Sequence, residues 1–186
     1  CSPEASSRIA SFQKHVGWID KDWKLENWLK DPIGYQNFRD WFDENYKHIK
    51  VVHIIGGEPY LIDEFADLID LFSEHKMTWL NLSFTTNGTH DYTEFKKQFK
   101  EFKRVEIGIS IETADASNNY IRQGSDIEEI LNNVTNMQKK MKYVDLTFRT
   151  VPTWLSVGRY TTLLNEALKR RIPVDASYPH RPSWML

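Results

Sequence analysis

"VVHIIGGEPYLIDEF", residues Val51–Phe65, is the stretch from which the fold can be read. Five residues of strand character run into Gly56-Gly57-Glu58-Pro59, and a helical pattern begins at once. Most strand-to-helix turns manage with one glycine and a capping residue. Two adjacent glycines mean that the backbone needs unusual freedom, or that something approaches it closely. Beyond the turn, Phe65, Leu68, Ile69 and Phe72 fall at i, i+3, i+4 and i+7, the apolar face of an amphipathic helix. The stretch therefore predicts a strand, a polar turn at its carboxyl end, and a helix.

The same unit recurs downstream. "WLNLSF" (79–84), "VEIGISI" (105–111), "VDLTFRTV" (144–151) and the short "PVDAS" (173–177) read as strands. Between them, Phe95, Phe99 and Phe102 mark one helix face. Ile127, Ile130, Leu131, Val134 and Met137 mark a second, with Asp126 near its start, and Tyr160, Leu163, Leu164, Ala167 and Leu168 mark a third. Such β-α alternation with short connections predicts a parallel sheet with right-handed crossovers, either doubly wound or part of a (β/α) barrel. Upstream, "DPIGYQNFRDWFDENYKHI" (31–49) predicts a helix with Pro32 in its first turn and a rough apolar face of Ile33, Phe38, Trp41, Phe42 and Tyr46. Residues 1–31 read as irregular, with Trp18, Trp23 and Trp28 either lining a lid or, as the better reading, packing.

The strands carry a second pattern. Val105, Ile107, Ile109 and Ile111 alternate with Glu106, Gly108, Ser110 and Glu112; Leu80, Leu82 and Phe84 alternate with Asn81, Ser83 and Thr85; Val144, Leu146 and Phe148 alternate with Asp145, Thr147 and Arg149. Parallel strands covered on both faces are nearly all apolar. These predict one face against helices and one polar face lining an interior. A closed barrel fills its interior with branched aliphatics, so the polar lining predicts an open, curved sheet that holds a polar ligand, the alternative being a sheet with one solvated face. His53 faces that interior or is a hydrogen-bonded structural histidine. Asp145 and Arg149 share its face, either toward a ligand or paired with each other.

At 186 residues and 40% hydrophobic content, the chain suits one sizeable soluble domain. A net charge of −2 implies no general attraction to nucleic acid or acidic membranes, and no apolar run reaches the length of a membrane span. The lone cysteine allows no internal disulfide, which favours a cytoplasmic setting. That cysteine is Cys1. It reads either as the lipidated first residue of a lipoprotein with "CSPEASS" as tether, or as the last ligand of a metal-binding motif whose other members lie upstream.

In parallel α/β folds ligands bind beyond the carboxyl ends of the strands. Here those ends read Gly56-Gly57-Glu58-Pro59, Thr85-Thr86-Asn87-Gly88, Glu112 followed by "NNYIRQGSD", and Val151-Pro152-Thr153. Taken in order, "GGEP", "TNG", "GISIET" and "YIRQGSDIEEILNNV" resemble the radical S-adenosylmethionine (SAM) superfamily from about Val51 to Val134. "CSPEASS" resembles the segment that begins at the third cysteine of that family's C-x-x-x-C-x-x-C loop, particularly in members with a twitch extension.

The resemblance implies an open, partial (β/α) barrel over residues 1–178 whose first strand lies upstream, with residues 179–186 starting a C-terminal extension. It implies that Cys1 is the third ligand of a [4Fe–4S] cluster, which leaves one iron open for SAM. Gly56, Gly57 and Glu58, with Pro59 fixing the turn, would hold the methionyl amine. Ser110, helped by Thr86 or Asn87, would meet the ribose, Arg122 the carboxylate, and Glu112 would also belong to the cofactor-binding set. "SIETAD" departs from the family's frequent S-x-D-G: Glu112 keeps the charge but not the size. The implied activity is reductive cleavage of SAM to a 5′-deoxyadenosyl radical that takes hydrogen from a small-molecule or peptide substrate, with flavodoxin or ferredoxin as reductant. The competing expectation is a non-catalytic α/β binding module, either a lipoprotein or a homologue that has lost its cluster.

Overall fold

A computed structural model describes residues 7–23, 32–55 and 57–177. The chain forms two compact units, Cys1–Ile49 and Lys50–Leu186. The first holds helices α1 (Ser7–His15) and α2 (Pro32–Asn45), the latter continued by a 3-10 turn at Tyr46–His48. Helix α1 corrects the irregular reading of residues 1–31: the run is too short to show an apolar period, and the tryptophans beyond it dominate the pattern. Trp18 is 72% exposed and meets the Phe12 ring edge-on at 5.9 Å. Trp28 lies outside the described residues. The apolar face of α2 is narrower than predicted. Phe38, Phe42 and Tyr46 stack in sequence at about one-turn spacing, with centroids 6.0 and 6.1 Å apart, whereas Ile33 and Trp41 are exposed.

The second unit alternates strands and helices: β1 (Val51–Ile54), α3 (Asp63–Glu74), β2 (Asn81–Thr86), α4 (Lys96–Glu101), β3 (Arg104–Ser110), α5 (Ser117–Ile121), α6 (Ile127–Lys140), β4 (Val144–Thr150), α7 (Tyr160–Arg170) and β5 (Val174–Ala176). The strands form one parallel sheet in the order β1-β2-β3-β4-β5, so every crossover advances by one position. The parallel sheet is what the alternation predicts, and its form, an open, partial α/β barrel, is the one the family resemblance implies. The five-residue helix α5 went unread because it spans little more than one turn.

Register explains the two faces. Leu82, Val105 and Val144 share a row, as do Phe84, Ile107 and Leu146, and all are buried. On that face Phe84 is packed by Phe65 of α3 at 5.3 Å, by Tyr92 at 5.0 Å and by Phe99 of α4 at 6.1 Å. Edge-to-face and tilted rings of this kind fill a core without voids. From the later helices, Ile130, Val134 and Met137 of α6 and Leu163 of α7 are fully buried. Leu164 and Leu168 of α7, predicted to be on its apolar face, are instead exposed. Asp126 caps α6, its carboxylate accepting the Glu128 N–H at 2.9 Å.

Candidate active site at the carboxyl rim

Alternation puts His53, Ser83, Thr85, Glu106, Gly108, Asp145, Thr147 and Arg149 on the face opposite the helix-packed core. His53 and Ser83, adjacent in register, share a hydrogen bond at 2.7 Å. Arg149 lies across the face. Its guanidinium donates to Thr85 Oγ1 at 2.7 Å, two strands away, and to Glu106 Oε1 at 3.1 Å. Gly108 makes this path possible: a Cβ there would sit 2.4 Å from Arg149 Nε and 2.6 Å from its Cδ. Asp145 and Arg149 do share a face but do not pair with each other. Asp145 accepts from Arg104 Nε at 2.8 Å, because Arg104 is the nearer cation on the adjoining strand. Arg149 and Glu106 are thus held part-buried at the middle of the polar face, whereas Arg104 and Asp145 remain more than half exposed.

At the carboxyl ends of the strands, two glutamates are held in the same way. Glu58, four residues past β1, accepts the Thr86 hydroxyl at 2.6 Å and the Asn87 N–H at 2.6 Å from the end of β2, and the Tyr92 hydroxyl at 2.5 Å. Glu112, two residues past β3, accepts the Thr150 hydroxyl and the Val151 N–H, each at 2.9 Å, from the end of β4. In both cases a carboxylate takes a threonine hydroxyl and the next residue's N–H, satisfying groups where the ladder stops. Tyr92 is fully buried, and burial, with the adjacent Glu58 charge, drives its phenol well above the ordinary tyrosine range.

The "TNG" turn is also accounted for. Asn87 Oδ1 accepts both the N–H and the hydroxyl of Thr89, at 2.9 and 2.7 Å. Gly88 has φ of +79°, and a Cβ there would come within 2.9 Å of Ile109 and Ile130. The side chains of Thr86 and Asn87 thus hold the chain's own turn. Pro59 is buried and opens a 3-10 turn, as its place in the sequence predicts. Ser110 ends β3 on the polar face, half-buried, one row beyond Gly108.

Arg122 follows α5, and its NH1 donates to Glu112 Oε1 at 3.1 Å, with side chains 31% and 10% exposed. The loop between them is braced by Asn118, which is fully buried. Its Oδ1 accepts the Glu112 N–H at 2.9 Å, and its Nδ2 reaches Ser125 Oγ at 3.4 Å, which in turn donates to the Arg122 carbonyl at 2.7 Å. Ser110, Glu112 and Arg122 are therefore gathered on one rim, and Glu58, Thr86 and Asn87 form a second cluster on it. Cys1 and Gly56 lie outside the described residues. Sequence reasoning missed Tyr92, Asn118 and Thr150. The signal for Thr150 was the matching threonine that ends β2.

Among the described residues no three His, Cys, Asp or Glu side chains converge as a metal site, and no helix is long and apolar enough to cross a membrane. A cavity of about 750 Å³ opens at the opposite, amino-terminal end of β3 and β4, beside Arg104, Lys142, Arg170 and Arg171. Of these, Arg170 is in the last turn of α7, where a cation suits the carbonyl end of the helix, and Lys142 and Arg171 follow α6 and α7.

The family model described as Radical SAM superfamily matches residues 33–152. Streptococcus suis SuiB bound to S-adenosylmethionine superposes with a TM-score of 0.58 at 17% identity, over 73% of this chain and 31% of that one. SuiB bound to its precursor peptide SuiA gives 0.63 at 15% identity, over 88% and 35%. Archaeal TYW1 gives 0.47 at 16% identity, over 83% and 57%. The SuiB likeness is one of fold, and the chain spans about a third of SuiB's length. No curated protein matches the chain.

Proposed function

The chain belongs to the radical SAM superfamily, and from that premise we propose that it is the SAM-binding part of an enzyme that modifies a small-molecule or peptide substrate. The observation that carries the reading is the gathering of Ser110, Glu112 and Arg122 on the carboxyl rim, beside the turn that holds Glu58.

The donor chemistry of this rim fits SAM. Arg122 keeps guanidinium N–H groups beyond the one given to Glu112, and these suit a carboxylate. The Ser110 hydroxyl suits a ribose diol. The Glu58 carboxylate already accepts three hydrogen bonds from its own chain and its carbonyl accepts the Leu61 N–H at 3.1 Å, so the exposed peptide group of Gly57 is the better acceptor for the methionyl amine. Thr86 and Asn87 then act by shaping the turn. Cys1 would be a ligand of the cluster, together with two further cysteines from outside this sequence, since it is the chain's only one. When bound, the [4Fe–4S] cluster and SAM supply a 5′-deoxyadenosyl radical for hydrogen abstraction. The polar face, set by Arg149, Glu106 and the His53–Ser83 pair, would orient the substrate beneath the rim. The reading includes a cytoplasmic setting and a flavodoxin or ferredoxin as electron source.

The test is anaerobic purification of the full-length protein, followed by iron and sulfide analysis and assay of 5′-deoxyadenosine after reduction with SAM present. The expected result is a cluster and SAM-dependent 5′-deoxyadenosine. A protein that binds SAM but holds no iron, and releases no 5′-deoxyadenosine, would instead be a binding homologue.

A further inference from the structure

We infer that Glu112 is a positioning residue: it touches no ligand but fixes Arg122 for a ligand carboxylate, through a brace completed by Thr150 and Asn118. The inference rests on Arg122 being the carboxylate-binding residue of the proposed SAM site, and adds a role for the residue behind it.

The geometry leaves Glu112 little capacity for a ligand. The residue is 7% exposed. One oxygen, Oε2, accepts from Thr150 and Val151, and the other, Oε1, faces Arg122 NH1. The two bonds from β4 set the rotamer of the carboxylate, so the direction of Oε1 is decided by the sheet. Arg122 lies on a loop and has a long side chain, which alone would sample many rotamers. It is tied at both ends: the guanidinium to Glu112, and the carbonyl through Ser125 to Asn118, which also holds the Glu112 N–H. Loop and strand end are thus locked into one unit, with the Arg122 side chain more exposed than that of its partner. The same threonine-plus-N–H grip on Glu58 shows that the strand ends of this sheet use carboxylates to hold turns. At Glu112 the held carboxylate has a cation as its third partner.

The test compares two ligands for the anaerobically purified full-length protein: SAM and decarboxylated SAM, which differ only in the carboxylate. Affinities are measured by equilibrium dialysis, so that turnover does not enter. Wild type is expected to prefer SAM, and Arg122→Ala to narrow that preference. Glu112→Gln, which keeps an acceptor for Thr150 and Val151 but removes the charge facing Arg122, is expected to weaken SAM about tenfold and leave decarboxylated SAM unchanged. Thr150→Val is expected to do the same more weakly, by about threefold, and decides the matter should Glu112→Gln not fold. If Arg122→Ala keeps the preference, the reading of Arg122 itself is wrong. If Arg122→Ala narrows it while Glu112→Gln and Thr150→Val retain wild-type preference, or weaken both ligands equally, the positioning role is overturned and Glu112 only holds the fold.

Discussion

Two residues show how side chains set the character of the polar face and the rim. Gly108 is required for space rather than for its backbone angles: it leaves the channel in which Arg149 crosses β3. Gly108→Ala should push Arg149 off the sheet, release Thr85 and Glu106, and cost about 1–3 kcal/mol in denaturant unfolding. In Arg149→Ala the same substitution should be nearly neutral, and that coupling is the measurement that checks the account. Tyr92 makes a second case. Its phenol is raised by burial, then by the charge and hydrogen bond of Glu58, so the neutral form is favoured in the folded state. That contribution is complete below the unfolded phenol value of about 10 and is lost as pH rises beyond it toward the folded value. Tyr92→Phe should be about 2 kcal/mol less stable at neutral pH, for want of the bond to Glu58. The gap to wild type should then narrow in melts above about pH 10. A gap that stays constant into strong alkali would contradict the assignment.

Among the elements, helices α3 and α7 end alike, and neither ending uses the residue best suited to it. Lys76, just past α3, has φ of +51°, and Arg171, just past α7, has φ of +56°. The next residues close the ends by bonding back across the last turn, Met77 N–H to Phe72 O at 3.2 Å and Ile172 N–H to Ala167 O at 3.0 Å. A left-handed conformation is costly for any residue but glycine. Lys76→Gly should therefore raise stability by about 0.5–1 kcal/mol, read as a higher melting temperature. These elements also mark how far the sequence could be read. Strands β2 to β4 and helices α3, α6 and α7 were legible, because each carries an apolar period long enough to count, and β1 was legible as a short strand-like run ahead of the paired glycines. Helices α1 and α5 were not, being nine and five residues long. At the site, the residue types were legible but their partners were not. Nothing in the spacing says that Glu58 would accept from Tyr92, or that Arg149 would reach past β3 to Thr85, since both contacts arise only once strands are in register.

At the scale of the whole molecule, sequential strand order leaves β1 and β5 at the two sides of the sheet, and among the described residues nothing pairs with their outer edges. Val51, on β1, is 65% exposed. An unpaired, apolar edge invites pairing with another chain. Residues 1–186 made alone should associate as concentration rises in sedimentation velocity, and Val51→Lys should weaken that association while changing stability by less than about 0.5 kcal/mol. A sample that stays monomeric throughout would show that the edge is shielded. The paired grips on Glu58 and Glu112 have a different consequence. They come after strands two positions apart, so their spacing is inherited from the interstrand repeat, roughly 10 Å, and owes little to either loop. The rim is in effect a gauge of fixed width. Loops can change what is read against it, yet a molecule of another breadth would need a different number of strands between its jaws.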